Sequence, residues 1–344
     1  MKLIWTVRFF AILLFIAVAV GASAQTITTL NYPGALATTA FAINDSGTIL
    51  GIYGDQSKVA HFYIRSKTGK YTSFDAPSAS PAAPFMGINK SGVVAAWDTD
   101  STGVHHGFVR TAKGVITAFN APGAGTLSGQ GTFVSGINNA GTIVGFYFDS
   151  KNKHHGYVRS DTGTFKTFEV SDAGPTGTAP ASINTAGTVA GTWRDTKKAW
   201  HDFVRATDGT ITTFEEPGGS DTYGGAINTA GTIAGWYLDS TDGQRGFVRS
   251  ADGAFTSFNA PGAGKTSEEG TAAFGINTAG VVMGPYTDSA DIEHGYVRAA
   301  DGTITDFDPT GSTQTEPWGI NDAGDVVGYW TDTNTVVHGF LRTP

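Results

Sequence analysis

Apolar residues in this chain come in short runs of about five to seven, each closed by Gly, Asn, Asp, Ser or Thr. One stretch shows the pattern. Val134 to Ile137 leads into Asn138-Asn139-Ala140-Gly141, then Thr142 to Phe148, a polar loop, His155 to Arg159, the turn Ser160-Asp161-Thr162-Gly163, and Thr164 to Phe168. The spacing predicts four short strands, a to d, joined by tight turns. In the Ile-Asn-x-x-Gly turn the Asn side chain bonds nearby backbone, and Gly takes the positive φ that strains other residues.

The pattern recurs. Ile-Asn stands at Asn44, Asn89, Asn138, Asn184, Asn228, Asn277 and Asn321. Counted from each Asn, Gly occupies +3 and Asp +11 (Asp55, Asp100, Asp149, Asp195, Asp239, Asp288, Asp332). His occupies +17 (His61, His106, His155, His201, His294, His338), with Arg245 in the fifth copy. An aromatic holds +19, and Arg holds +21 (Arg65, Arg110, Arg159, Arg205, Arg249, Arg298, Arg342). No copy gains or loses a residue across this span, as hydrogen-bonded pairing demands. Four antiparallel strands repeated every ~40–50 residues are the sequence mark of propeller blades. The predicted fold is an all-β, seven-bladed β-propeller of four-stranded blades over residues 25–344.

The last copy stops at Arg342-Thr343-Pro344, before its strand d. Ile27-Thr28-Thr29-Leu30-Asn31-Tyr32-Pro33-Gly34 parallels Ile211-Thr212-Thr213-Phe214-Glu215-Glu216-Pro217-Gly218, and Leu30 precedes Asn44 by the same 14 residues that separate Phe214 from Asn228. The N-terminal strand is therefore expected to complete the last blade and pin the ring's open edge. A closed ring leaves few free edges, so a monomer is expected. An outer-membrane barrel is the competing architecture, but its strands need ~9–11 residues.

Residues 1–24 read as a signal peptide: Lys2 and Arg8, an apolar run from Phe9 to Val20, and Ala22-Ser23-Ala24 as a cleavage site. The run is short for a span of ~20 residues, so no membrane span is expected after cleavage and the location is secreted or periplasmic. Without Lys2 and Arg8 the chain carries 20 basic residues against 30 acidic ones, a net of −10. That balance, with no basic run, argues against nucleic acid. The absence of cysteine excludes disulfides, thiolate metal sites and cysteine nucleophiles.

Gly136-Ile137-Asn138, Gly141 and Gly145, followed by His155-Gly156-Tyr157, resemble the bacterial extracellular repeats called the HAF family. All seven copies share the likeness, with Gly usually replacing the middle Ala of His-Ala-Phe; Phe62 and Asp202 depart further. The resemblance implies an extracytoplasmic repeat protein and no particular activity.

Asp, His and Arg within each copy look catalytic, since Asp can orient a His that acts as general base. The count points elsewhere: an active site is needed once, and this set recurs around the chain. The expected role is a structural polar network tying strand b to strand c. Asp98-Thr99-Asp100-Ser101-Thr102-Gly103 begins like a calcium loop but has Val109 where the ligand Glu belongs, so no metal is expected, and no cofactor motif is present. The polar residue after strand d (Asn31, Asp75, Asn120, Glu169, Glu215, Asn259, Asp308) reads as a turn initiator.

Length varies only between strand d and the next Asn, where loops on a rigid scaffold tend to carry function. Within those segments Asp221, Tyr223, Lys265, Glu268, Glu269, Glu316 and Trp318 are the candidate ligand-binding residues. Tyr and Trp stack on sugars or grip peptides, and carboxylates accept hydrogen bonds from hydroxyl groups. The functional expectation is a non-enzymatic binding module for a glycan or an envelope protein. The alternatives are a polysaccharide lyase or hydrolase, with Glu268, Glu269, Glu316 and Asp221 as acids, and a structural cell-envelope protein.

Overall fold

The computed structural model describes residues 25–78, 80–81, 86–266 and 269–344. The leader and Glu268 lie outside the described residues. Among these residues every regular element is a β-strand, arranged in curled, mostly antiparallel sheets, and no helix is long and apolar enough to cross a membrane.

The sequence unit around Asn138 folds as strands Gly131–Ile137, Ile143–Phe148, His154–Arg159 and Phe165–Phe168, paired in order. Residues Ala37–Ile43, Ile49–Gly54, Ala60–Arg65 and Tyr71–Phe74 form a separate four-stranded sheet in the same order. Two larger sheets, of thirteen and nine strands, contain successive units joined through single parallel pairs: Gly131 with His105, Gly177 with His154, and Gly270 with Gln244.

The N-terminal strand Thr26–Leu30 runs antiparallel to Val337–Thr343, from Thr26 opposite Thr343 to Leu30 opposite Gly339. Leu30 is 1% exposed and packs with Ala40, Ile49, Tyr63 and Val327. The first and last described strands therefore share one sheet.

Each repeated Asn does two jobs. Asn138 Oδ1 accepts from the amides of Ala140 and Thr142, fixing the turn in which Gly141 has φ 83°. Its Nδ2 donates to the carbonyl of Asn184 at 3.2 Å. The same bond runs from Asn44 to Asn89, Asn89 to Asn138, Asn184 to Asn228, Asn228 to Asn277 and Asn277 to Asn321. Asn321 donates back to Asn44, closing the cycle.

Packing between neighbours is aromatic and aliphatic. Clusters mix residues of adjacent units, as where Phe62 and Phe108 meet edge-on at 5.4 Å beside Leu50 and Val94. Glycine in strand b is required by close approach: a Cβ on Gly145 would lie 2.0 Å from the Phe133 carbonyl and 2.7 Å from the Tyr157 hydroxyl. That hydroxyl donates to the same carbonyl at 2.8 Å, tying strand c to strand a across b.

The Asp/His/Arg set needs one correction. Asp and His do meet: His61 Nε2 lies 3.5 Å from Asp55 Oδ2, and His106 Nε2 lies 3.0 Å from Asp100 Oδ2. Asp55 Oδ1 is occupied by the amides of Ser57 and Val59. The Arg is elsewhere. Outside the first copy, where Arg65 lies over Tyr71 of its own unit, its guanidinium stacks on the strand d Phe of the preceding unit, Arg249 over Phe214 at 4.3 Å and Arg159 over Phe119 at 4.6 Å. Arg follows His by four residues on one strand, a separation of about 13 Å that no hydrogen bond spans.

The residue after strand d is not merely a turn initiator. His61 Nδ1 is 2.6 Å from Asp75, His106 Nδ1 2.9 Å from Asn120, and His338 Nδ1 2.9 Å from Asn31. His155 pairs likewise with Glu169, and His201 and His294 with Glu215 and Asp308 at 2.5 and 2.6 Å. In the fifth copy Arg245 pairs with Asp239 at 2.5 Å, and the Asn259 amide, with its oxygen and nitrogen exchanged, accepts from the same guanidinium. The His side chains are 14–23% exposed across the copies, so the network sits at the sheet margin rather than in the core.

Candidate ligand-binding site

The site begins at a β-bulge. In strand a, register shifts between Ala40 and Ala42, Val134 and Gly136, Pro180 and Ser182, Gly224 and Ala226, and Pro317 and Gly319. The skipped residue is always the third before the Asn. A bulge leaves its extra residue unpaired and re-aims the side chain. The residues at this position converge: Phe41, Ser135, Ala181, Gly225 and Trp318 at the bulges, with Met86 and Phe274 at the same place in the other two copies, line a cavity of about 410 Å³.

Their sizes are lopsided. Phe274, Trp318, Phe41 and Met86 come from consecutive copies, while Ser135, Ala181 and Gly225 come from the other three. The cavity is thus the space that small residues leave opposite a bulky apolar wall. Trp318 contacts Phe274 at 5.3 Å and Phe41 at 5.7 Å between ring centroids. On the small side, Tyr223 stacks on Trp236 at 4.0 Å and 17°, a cross-strand pair that also lines the cavity.

Nearer the Asn cycle, Ile88, Ile137, Ile183, Ile227, Ile276 and Ile320 border a polar recess of about 180 Å³ with Asp45, Asn139 and Asp322 at its rim. The layers thus run from a polar rim through the Asn and Ile rings to the aromatic cavity. A smaller cavity of about 190 Å³ shares Trp236 and Phe274 with the large one and reaches Glu293.

Behind the aromatic wall lies a polar chain. Glu316 Oε2 accepts from Trp318 Nε1 at 3.1 Å and from the Tyr329 hydroxyl at 2.5 Å, which fixes the indole. Gln314 Nε2 donates to Glu316 Oε1 at 2.9 Å and to Glu293 Oε2 at 2.5 Å. Burial pushes the Glu293 carboxyl up to about 7, with the Glu316 charge adding to it and the Gln314 N–H opposing it.

The candidates from sequence separate. Tyr223 and Trp318 line the cavity, and Glu316 positions Trp318. Asp221 caps a neighbouring strand by accepting from the Trp200 amide at 2.7 Å. Glu269 accepts from the amides of Lys265 and Thr266, closing its own loop. Neither carboxylate faces the cavity, and Lys265 is exposed on that loop. Phe41, Met86, Phe274, Trp236 and Glu293 were missed. Comparing the third residue before each Asn would have exposed the first three, since that position varies from Gly to Trp inside an otherwise constant strand. Among the described residues, no group of three or more His, Asp or Glu is placed to hold a metal ion.

No protein-family model and no curated protein matches the chain. Solved structures do. Virginiamycin B lyase from Staphylococcus aureus, solved in a catalytically inactive form with quinupristin, is 15% identical with a TM-score of 0.62, covering 93% of this chain and 100% of that one. Puromycin hydrolase is 11% identical at 0.62 over 90% of this chain, which spans about half of its length (53%). A lectin from Burkholderia pseudomallei is 9% identical at 0.53, covering 89% of this chain and 96% of that one. At these identities the likeness shows the fold alone: an all-β, propeller-like arrangement.

Proposed function

We propose that the protein is an exported, seven-bladed β-propeller whose N-terminal strand completes the last blade, and that it works as a binding module. The observation that carries this reading is the lopsided cavity lined by the third residue before each repeated Asn, five of these residues at bulges. Repetition explains the frame, and departure from repetition marks the site. A glycan or a peptide segment of an envelope protein offers the flat apolar faces that the Trp318 and Tyr223–Trp236 rings accommodate. Fold neighbours include both enzymes and a lectin, so the choice rests on this cavity. Screening the mature chain on glycan and envelope-protein arrays tests it: a hit lost in Trp318→Ala and Tyr223→Ala supports the assignment, and a hit unchanged in both rejects it.

A second reading has its own support. Glu293, titrating near neutrality beside Glu316, has the protonation behaviour of a general acid or base. Turnover of a polysaccharide that disappears in Glu293→Gln would favour a lyase or hydrolase; binding without turnover in the parent would count against it.

A further inference from the structure

The wide cavity adjoins a second, smaller one, with Trp236 and Phe274 in the walls of both. The smaller cavity ends on Glu293, with Gln244 and Thr287 beside that carboxyl. Gln314 donates to both Glu293 and Glu316, so the passage formed by the two adjoining cavities ends on one carboxyl, Glu293, with a second held behind it. Among the described residues lining the two cavities there is no Lys or Arg. The passage therefore offers π faces and negative charge with no basic side chain in its walls.

These features select one ligand chemistry. Ring faces attract cations through their quadrupoles, more strongly where water is excluded. A carboxylate pair favours a positive group and repels an anion. A neutral apolar ligand gains the burial and nothing more, and a phosphate or carboxylate ligand meets like charge.

We propose that this passage binds a small organic ammonium ion with an apolar ring body, the body seated among Trp318, Phe274 and the Tyr223–Trp236 pair and the ammonium directed past Trp236 toward Glu293. The inference rests on the reading of the cavity as the ligand seat and names the class of ligand. An arriving ammonium also supplies the counter-charge that Glu293 lacks. The raised pKa of its carboxyl is consistent with that lack.

The test uses three probes with one body: 2-(1-naphthyl)ethylamine, 2-(1-naphthyl)ethanol and 1-naphthaleneacetate, titrated calorimetrically into the mature chain at about pH 8. The amine is expected to bind about tenfold tighter than the alcohol, as a partly desolvated cation–π and carboxylate contact implies, and the acid weakest. Glu293→Gln should bring the amine-to-alcohol ratio toward one, and Trp236→Leu should lower amine binding more than alcohol binding. Equal binding of amine and alcohol, or an amine preference retained in Glu293→Gln, overturns the inference but leaves the cavity as a seat for neutral ligands. Failure of all three probes to bind overturns the inference, while the reading of the cavity as a ligand seat then stands or falls on the glycan and envelope-protein arrays.

Discussion

Asn321 donates from Nδ2 to the backbone carbonyl of Asn44, 3.3 Å away and 277 residues apart in sequence. This is the bond by which the last copy of the module meets the first. Asp322 repeats the link one residue on, its amide donating to Asp45 Oδ1 at 3.1 Å. A ladder of identical local turns thus becomes a ring, and the ring brings the third residue before each Asn to a common axis.

Losing one Asn should be felt twice. Asn138→Ala removes the side-chain acceptor of the Ala140 and Thr142 amides and one of the two bonds to the Asn184 carbonyl, which keeps the Gly187 amide, at a cost of about 1–2 kcal/mol. Asn138→Ser keeps a side-chain acceptor for the turn and loses the donor to Asn184 without adding a charge, so it should cost less. Urea unfolding of the two variants checks the order; equal losses would mean that capping the turn contributes nothing.

Removal of residues 25–30 deletes the strand opposite Val337–Thr343 and empties the site of buried Leu30. Loss of that side chain alone is expected to cost about 2–5 kcal/mol, and the opened edge adds to it. The truncated chain should melt earlier and self-associate, which light scattering and circular dichroism would reveal.

Arg249→Met should cost about 1 kcal/mol through the lost stack on Phe214, while preserving most of the side-chain length. A double-mutant cycle with Phe214→Leu isolates the coupling. Zero coupling would show that the guanidinium contributes through its bond to the Ser250 carbonyl instead.

Asp202 occupies the place of Gly in most copies and is fully buried, with Oδ1 accepting from the Gly224 amide at 2.5 Å and Oδ2 without a partner. Burial raises its pKa well above the usual value. A carboxyl with a raised folded pKa binds its proton more tightly in the folded state, so its contribution falls as pH rises from about 4 upward. Asp202→Asn should therefore raise Tm more at pH 7.5 than at pH 4.5. An equal shift at both pH values would place the ionisation outside the folding equilibrium.

Much of this was legible because hydrogen-bonded pairing forbids insertions. The constant offsets from Asn44 through Asn321 gave the strands, and the Leu30 parallel with Phe214 gave the partner of the C-terminal strand. The His partner was hidden in plain spacing: Asp75 follows His61 by 14 residues, as Asn120 follows His106, but only the c–d pairing makes 14 residues a contact. Arg was grouped with Asp and His by recurrence, although strand rise keeps it apart. The cavity escaped because bulges at Phe41, Ser135, Ala181, Gly225 and Trp318 break the in-and-out alternation that sequence reading relies on. Attention to variable loops found Trp318 and Tyr223 but also drew in Asp221 and Glu269, whose carboxylates only cap backbone.

Filling the small side of the cavity is the most direct trial of the whole account. Phe stands naturally at the equivalent positions 41 and 274, and a Cβ on Gly225 would have no neighbour closer than 3.7 Å, so Ala181→Phe with Gly225→Phe should fold and melt like the parent. Titrated with the three naphthyl probes, the filled protein should lose at least tenfold in affinity for each probe that binds the parent, the equivalent of about 1.4 kcal/mol. A filled protein that binds them as tightly as the parent would contradict the claim that the ligand sits on the axis.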